Sequence, residues 1–128
     1  MRVTVTSVIV DDQEKALKFY TEKLGFVKMA DIPMGEYRWL TVTSPEGIEG
    51  VEVSLEPTAF PPAKDYQKAL YDAGIPITAF ISTDIQDEVR RLRERGVVFR
   101  GDPENMGPII GVMFEDTCGN LVQLVQPL

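Results

Sequence analysis

The feature that most limits the fold of this chain is an internal repeat with a separation of 72 residues. Capping, apolar and turn residues recur in the same order in both halves, and chance does not readily produce such an ordered series. The matched positions are Thr6 and Thr78, Val8 and Phe80, Asp12 and Asp84, Leu40 and Val112, Val42 and Phe114, and Gly47 and Gly119. We therefore expect two copies of one supersecondary unit.

The first copy reads as a strand, a helix and three further strands. Asp12 is a typical helix N-cap, apolar residues follow it at helical spacing, and Gly25 is placed to end the helix. Runs rich in β-branched and aromatic residues predict strands on both sides of that helix. The predicted strands are 4–10, 26–30, 37–43 and 50–55.

The second copy repeats this order. Asp84 caps its helix, Gly96 ends it, and Ile85, Val89 and Leu92 form its apolar stripe. A turn at 116–120 separates the last two strands, and 102–105 is predicted to be a loop. The predicted strands are 77–82, 97–100, 109–115 and 121–126.

These patterns predict an α+β fold in a single domain over residues 1–128. Residues 1–56 form the first βαβββ unit, 57–76 a connector, and 77–128 the second unit. The connector contains a short helix that begins at Pro61-Pro62 and stops at Gly74. Because a helix covers one face of each sheet, we expect a curved mixed sheet around a cleft, with the helices outside. Such clefts bind small ligands.

The composition excludes several classes of function. Twenty acidic and 13 basic side chains give a net charge of −7, which disfavours nucleic acid and membrane surfaces as partners. Without histidine, no Ser-His-Asp, Cys-His or histidine–metal site can form, even between identical chains. The single cysteine, Cys118, excludes an internal disulfide and is expected to be structural. No secretory signal is visible, and we expect a cytoplasmic protein.

Two segments carry a resemblance to a known family. The stretch from Val8 to Tyr20, followed by Leu24-Gly25-Phe26, resembles the opening of the glyoxalase / bleomycin resistance / extradiol dioxygenase superfamily, also called vicinal oxygen chelate. The stretch from Phe114 to Leu124 resembles that family's last hairpin. The resemblance spans nearly the whole chain and implies the fold. It does not imply one activity, because the family includes isomerases, dioxygenases, epimerases, thiol transferases and antibiotic-binding proteins.

The resemblance also implies four metal-ligand positions, on the first and last strands of each unit. They fall on Val5, Glu52, Thr78 and Gln123. Valine has no ligating atom, and hydroxyl and amide oxygens are weak ligands for divalent transition metals. We therefore expect the fold and the cleft without a transition metal or another cofactor. A magnesium or calcium site at Glu52 and Glu56 remains open.

Strand alternation assigns side chains to the expected cleft. The apolar positions assigned to the helices are Leu40, Val42, Val51, Val53, Leu55, Ile77, Ala79 and Ile81. The positions then left to line one shared concave space are Trp39, Thr41, Glu52, Ser54, Thr78, Phe80, Met113 and Gln123. Trp39 fits a core position or a dimer contact equally well.

Three functions are compatible with these features. The first is a small-molecule-binding protein similar to the bleomycin-resistance branch, with an aromatic or cationic ligand near Glu52. The second is a glyoxalase-like lyase or isomerase, or a dioxygenase-like enzyme, with Glu52 as base and Thr78 and Gln123 as donors to an oxyanion. The third is a non-catalytic interaction module. The resemblance and the exposed sheet edges also predict a homodimer.

Overall fold

The computed structural model describes all 128 residues, Met1 to Leu128. It divides into two compact units, Met1–Tyr66 and Gln67–Leu128. Each unit contains one four-stranded mixed sheet. The predicted α+β class and the two βαβββ repeats are confirmed.

The first unit follows the predicted order of elements. Strand β1 (Val5–Val10) leads into helix α1 (Gln13–Lys18), which continues as one π-helical segment, Phe19–Lys23. The remaining strands are β2 (Val27–Met34), β3 (Tyr37–Thr43) and β4 (Glu52–Pro57). The strand order in the sheet is β1-β4-β3-β2, in which β1 and β4 are parallel and the other pairs are antiparallel.

Helix α1 is fixed at its first turn by two side chains. The carboxylate of Asp12 accepts a hydrogen bond from Lys15 N at 2.9 Å, as its predicted cap role requires. The buried Gln13 amide donates to the carbonyls of Arg38 and Leu55, at 2.8 and 2.9 Å, and its oxygen accepts from Arg38 N. These bonds tie the helix to β3 and β4. The core of this unit includes Val8, Val10, Ala16, Tyr20, Leu40, Val42 and Leu55.

The second unit repeats the arrangement. Helix α2 (Pro61–Asp72) contains the boundary between the units, and it is followed by β5 (Thr78–Ile81) and α3 (Ile85–Glu94). The last strands are β6 (Glu104–Asn105), β7 (Ile109–Glu115) and β8 (Leu121–Pro127). They form a sheet in the order β5-β8-β7-β6, with β5 and β8 parallel. The predicted stripe of α3 is buried.

A dense hydrogen-bond network holds the turn between β7 and β8. The buried carboxylate of Asp116 accepts from Cys118 N at 2.8 Å, from Asn120 N at 3.1 Å and from Asn120 Nδ2 at 2.7 Å. Gln67 of α2 donates to Cys118 O and to Asn120 Oδ1, each at 3.0 Å. Gly119 adopts a φ of +95°, and a Cβ there would lie 2.9 Å from the Gln67 side chain. The turn therefore requires glycine at this position.

Two predicted strands differ from the structure. Strand β2 extends to Met34, beyond the predicted end at residue 30. The predicted strand at 97–100 is reduced to a single bridge between Phe99 and Phe114. Gly101, with a φ of +99°, turns the chain away there, and Glu104–Asn105, predicted as loop, pairs with β7 instead.

None of the helices could span a bilayer. The longest, α2, has 12 residues, whereas a spanning helix needs about 20 apolar ones.

Candidate functional site

The sheet of the first unit has one face under α1 and one face opposite it. Leu40 and Val42 are fully buried on the helix side, so their neighbours along β3 project to the other side. Thr41 pairs with Ser54 across β3 and β4, and paired residues share a face. We call this side the first open face. Its central residues are Trp39, Thr41, Glu52, Ser54 and Glu56. The sequence predicts the first four to line the cleft, and it places Glu56 on the same strand face as Glu52.

Two hydroxyl–carboxylate hydrogen bonds dominate the first open face. Thr41 Oγ1 donates to Glu52 Oε1 at 2.6 Å, and Ser54 Oγ donates to Glu56 Oε1 at 2.6 Å. Thr41 and Ser54 are each 1% exposed, whereas both glutamates are half-buried. Neither carboxylate takes part in an ion pair. The face therefore carries two negative charges that no basic side chain of the chain neutralises.

An apolar strip continues the same face along the β2–β3 hairpin. Trp39 pairs with Ile32, and Tyr37 pairs with Met34. Ile32, Met34 and Tyr37 are exposed, and Trp39 is half-buried. The sequence reasoning missed the two β2 residues because it ended that strand early. Their alternation about Pro33 was the signal that could have revealed them.

The second sheet does not follow the prediction at its first strand. Thr78 pairs with Val122 and Phe80 with Leu124, so both lie on the buried core face. Gln123 pairs with Ala79 and with Met113, on the opposite face. The prediction that Thr78, Phe80, Met113 and Gln123 share one face is therefore wrong.

The error has a simple physical origin. The apolar character of Ile77, Ala79 and Ile81 predicts that they face the helix, yet Ile81 is 67% exposed. The repeat itself indicated the correct face. Thr78 and Phe80 match Thr6 and Val8, which pair with Val53 and Leu55 on the core side of the first sheet.

The register also changes the proposed metal positions. Thr41 and Met113 are repeat equivalents, and they pair with Ser54 and Gln123. Gln123 is thus the equivalent of Ser54, and the equivalent of Glu52 is the buried Leu121. Because Val5 and Leu121 have no ligating atom, the four positions do not fit a transition-metal centre. No group of three or more His, Cys, Asp or Glu side chains is arranged to hold a metal ion.

Glu52 and Glu56 also fall short of an oxygen-only cation site. They are four residues apart on β4, roughly 13 Å along the strand at 3.3 Å per residue. Each has one oxygen engaged by a separate hydroxyl. Magnesium and calcium need six or more oxygen ligands, of which this pair offers few.

The second open face, defined by Gly111, Met113, Glu115, Gln123 and Val125, has different chemistry. Gln123 Nε2 has only the sulfur of Met106, at 3.8 Å, as its hydrogen-bond acceptor. Glu115 Oε1 is engaged by Arg100 at 2.7 Å and by Tyr71 OH at 2.9 Å. The hydrogen bond to Glu115 raises the pKa of the Arg100 guanidinium. The carboxylate at the end of β7 is therefore neutralised, unlike those of the first open face.

A match to a protein-family model shows to which family this chain belongs. Residues 2–124 match the model of the Glyoxalase/Bleomycin resistance protein/Dioxygenase superfamily. The chain belongs to this superfamily. The resemblance inferred from the sequence is confirmed, and the superfamily's fold is the one described above.

Individual relatives agree over nearly their full lengths. The protein YurT of Bacillus subtilis (strain 168) is 52% identical over 126 residues, which cover 98% of this chain and 99% of YurT. The crystal structure of TnmS3, an antibiotic binding protein from Streptomyces sp. CB03234, has a TM-score of 0.78 and 32% identity, and the match covers 100% of this chain and 97% of TnmS3. A superfamily member from Sphaerobacter thermophilus DSM 20745 has a TM-score of 0.74 and 32% identity, covering 98% and 97%.

Proposed function

We propose that this superfamily member binds a small organic molecule on its first open face. The observation that carries the proposal is the pair of half-buried carboxylates, Glu52 and Glu56, which have hydroxyl partners but no ion pair. A charge that is partly removed from water gains more from a positive partner than an exposed one does. The first open face thus favours a cationic group on the ligand.

The apolar strip favours an aromatic body on the same ligand. Trp39 offers an indole face, which attracts both aromatic rings and cations. Ile32, Met34 and Tyr37 extend this apolar surface along the hairpin. The similarity to TnmS3, an antibiotic binding protein, supports a small organic molecule as the ligand. We therefore propose a planar aromatic molecule that carries a protonated amine.

The predicted contact residues of the second sheet leave the proposal. Because Thr78 and Phe80 lie on the core face of their sheet, the proposal excludes them as ligand contacts. Met113 and Gln123 lie on the second open face, which serves as the comparison surface in the binding tests. Thr41 and Ser54 act on the ligand through the carboxylates that they bind.

The register also weakens the enzymatic alternative. That mechanism needed Thr78 and Gln123 together as donors to an oxyanion, with Glu52 as the base. Because the two residues point to opposite faces of the second sheet, they cannot bind the same oxygen atom. Binding without catalysis is the function that the described geometry supports best.

The test uses three ligands with one ring system: 2-naphthylmethylamine, 2-naphthylmethanol and 2-naphthoate. We expect calorimetry to give the tightest binding for the amine, because only the amine complements the carboxylates. The chain has a single tryptophan, so one indole N–H signal in the NMR spectrum should shift with the amine. Equal affinity for all three, or no shift of Trp39, would refute the proposal.

Variants of the acidic residues locate the binding face. Glu52→Gln should weaken the amine about tenfold, since a hydrogen bond to a charged group contributes at least about 1.5 kcal/mol. Glu56→Gln should weaken it less, because Glu56 lies roughly 13 Å from Glu52 along β4 and the amine has one ammonium group. Glu46→Gln is the matched control, because Glu46 is an exposed glutamate in the turn after β3. A loss of affinity as large in the control would point to general electrostatics.

We further propose that the protein is a cytoplasmic homodimer. The edge strand β2 exposes Val27 and Met29, outside the apolar strip proposed for the ligand, and such edges are usually covered in soluble proteins. Light scattering should give about twice the chain mass of 14.3 kDa at micromolar concentration. A mass of one chain would contradict the dimer without affecting the ligand proposal.

A further inference from the structure

Thr41 connects Glu52 to the backbone of β2. Its hydroxyl oxygen accepts a hydrogen bond from Ala30 N at 3.1 Å and donates to Glu52 Oε1 at 2.6 Å. The register of β2 shifts between Lys28 and Ala30, so a bulge at Met29 lies beside this contact. Three groups thus form one chain of hydrogen bonds, from a backbone amide through a buried hydroxyl to a carboxylate.

The direction of these hydrogen bonds is fixed by both ends, a backbone amide that can only donate and a carboxylate that can only accept. A threonine hydroxyl has one proton, and an amide N–H can only donate. Because the Glu52 carboxylate can only accept, Thr41 donates its proton to Glu52 and its oxygen accepts from Ala30 N. Burial of Thr41, at 1% exposure, keeps water from replacing either partner. Hydrogen bonds linked in this way polarise and strengthen one another.

We propose that Thr41 is a positioning residue that determines which atom of Glu52 meets the ligand and what that atom can do. The inference rests on the proposed function, because it concerns the same face. Oε1 of Glu52 is held by the Thr41 proton, so Oε2 is the atom that faces the ligand. That atom accepts hydrogen bonds, and the ligand group opposite it must be a donor.

The direction of the hydrogen bonds from Ala30 through Thr41 to Glu52 predicts how Glu52→Gln changes ligand preference. The buried Thr41 proton has Glu52 as its acceptor and would be unsatisfied without one, so the new amide should turn its carbonyl oxygen toward Thr41. Its NH₂ group then faces the ligand, and the site changes from an acceptor to a donor. The variant should lose about tenfold in affinity for 2-naphthylmethylamine and bind 2-naphthoate more tightly than the native protein does.

Removing Thr41 should abolish that preference. In Thr41→Val combined with Glu52→Gln, the amide is free to present either end. The ratio of the dissociation constant of 2-naphthylmethylamine to that of 2-naphthoate should therefore fall at least about threefold from its value in Glu52→Gln. Thr41→Ser combined with Glu52→Gln keeps the hydroxyl and should retain the ratio. If Thr41 had a purely structural role, its replacement by valine would weaken the binding of all three naphthyl ligands equally and leave this ratio unchanged.

The hydrogen-bond chain itself is tested without ligand. Amide hydrogen exchange at Ala30 should speed up about tenfold in Thr41→Val, because a net hydrogen-bond contribution near 1.4 kcal/mol corresponds to that factor. Thr41→Ser should keep the native rate. If Thr41→Val does not fold, the native protein still decides: its Thr41 hydroxyl proton should exchange slowly and show a nuclear Overhauser effect to the Ala30 amide proton.

The outcomes separate the two ideas. If no naphthyl ligand binds while hydrogen exchange at Ala30 changes as expected, the ligand proposal fails, but the hydrogen bonds from Ala30 through Thr41 to Glu52 are confirmed. If Ala30 exchanges at the same rate in the native protein, Thr41→Ser and Thr41→Val, the positioning role is overturned even when the amine binds. An unchanged ligand preference in Glu52→Gln would overturn it as well.

Discussion

The open faces of the two sheets arise from one repeated pattern but differ in chemistry. On the first, Thr41 pairs with Ser54, and each hydroxyl holds a carboxylate. At the equivalent positions of the second, Met113 pairs with Gln123, whose amide reaches only a methionine sulfur. The register was kept while the side chains diverged. Backbone pairing therefore sets where a site can be, and side-chain identity decides which copy holds one.

The turns that close the last hairpin of each repeat also differ, but here it is the second repeat that has the denser polar contacts. In the first repeat the turn at Ser44–Gly47 is held by a backbone bond from Gly47 N to Ser44 O at 3.1 Å. In the second, the buried Asp116 accepts from the amides of Cys118 and Asn120, and Gln67 of α2 donates to Cys118 O and Asn120 Oδ1. The first repeat thus carries the hydroxyl–carboxylate pairs on its open face, and the second carries the buried polar network in its last turn.

The largest expected effect concerns Asp116. Asp116→Ala leaves the buried amides of Cys118 and Asn120 without acceptors, and each such loss costs about 1–3 kcal/mol. We expect a loss of about 3 kcal/mol in the free energy of unfolding from urea denaturation. The repeat equivalent, Ser44→Ala, should cost under about 0.5 kcal/mol. Similar losses in the two variants would remove the contrast between the turns.

The glycines of the same two turns give the next effect. Gly119→Ala places a Cβ 2.9 Å from Gln67 at a φ of +95°, whereas Gly47→Ala meets Ser44 Cβ at 3.3 Å without a positive φ. Strain of this kind costs about 1–3 kcal/mol. Thermal denaturation should show Gly119→Ala as clearly less stable than Gly47→Ala. The opposite order would mean that the second turn tolerates rearrangement.

A smaller effect separates the two open faces in binding. Trp39→Ala should weaken 2-naphthylmethylamine about tenfold, because truncation of a central aromatic contact typically costs more than 1 kcal/mol. Met113→Ala, at the face without free carboxylates, should change the affinity less than about twofold. Calorimetry on both variants checks this, and a stronger effect of Met113→Ala would transfer the ligand to the second open face.

The smallest effect is a pH dependence shared by both repeats. Hydrogen bonding to Arg38 lowers the pKa of Asp31, and hydrogen bonding to Arg90 lowers the pKa of Asp87. A lowered folded pKa gives stability that is present above the unfolded value, about 3.9, and is lost as the pH falls through the folded value. Asp31→Asn and Asp87→Asn should therefore each slightly flatten the decline of the urea midpoint below about pH 4. A steeper decline would contradict the assigned sign.

The sequence predicted the elements well where polar and apolar residues alternate. In β4, Val53 and Leu55 alternate with Glu52 and Ser54, and their faces were assigned correctly. The strand β5 has apolar residues on both faces, so alternation could not determine which side faces the helix. Only the pairing of Thr78 with Val122 resolves it.

Other features depend on the position of a strand in the sheet or on contacts between residues distant in sequence. Pro33 suggests the end of a strand, but β2 lies at the sheet edge, where the missing amide proton costs little. The hydrogen bond from Gln67 to Cys118 joins residues 51 positions apart, and no local pattern indicates it. The bond between Thr41 and Glu52 likewise requires the register of β3 against β4. The residue types were sufficient to predict Thr41 and Glu52 as site residues, but not to predict the hydrogen bond between them.

The contact of Gln67 with the Asp116–Asn120 turn bears on how such genes can recombine. Helix α2 precedes the second repeat in sequence, yet its amide supplies donors to that repeat's last hairpin. A crossover between related genes downstream of α2 would pair one parent's helix with the other parent's turn. Chimaeras joined upstream of Pro61 would inherit both from the same parent, and the inherited module is therefore longer than the repeat.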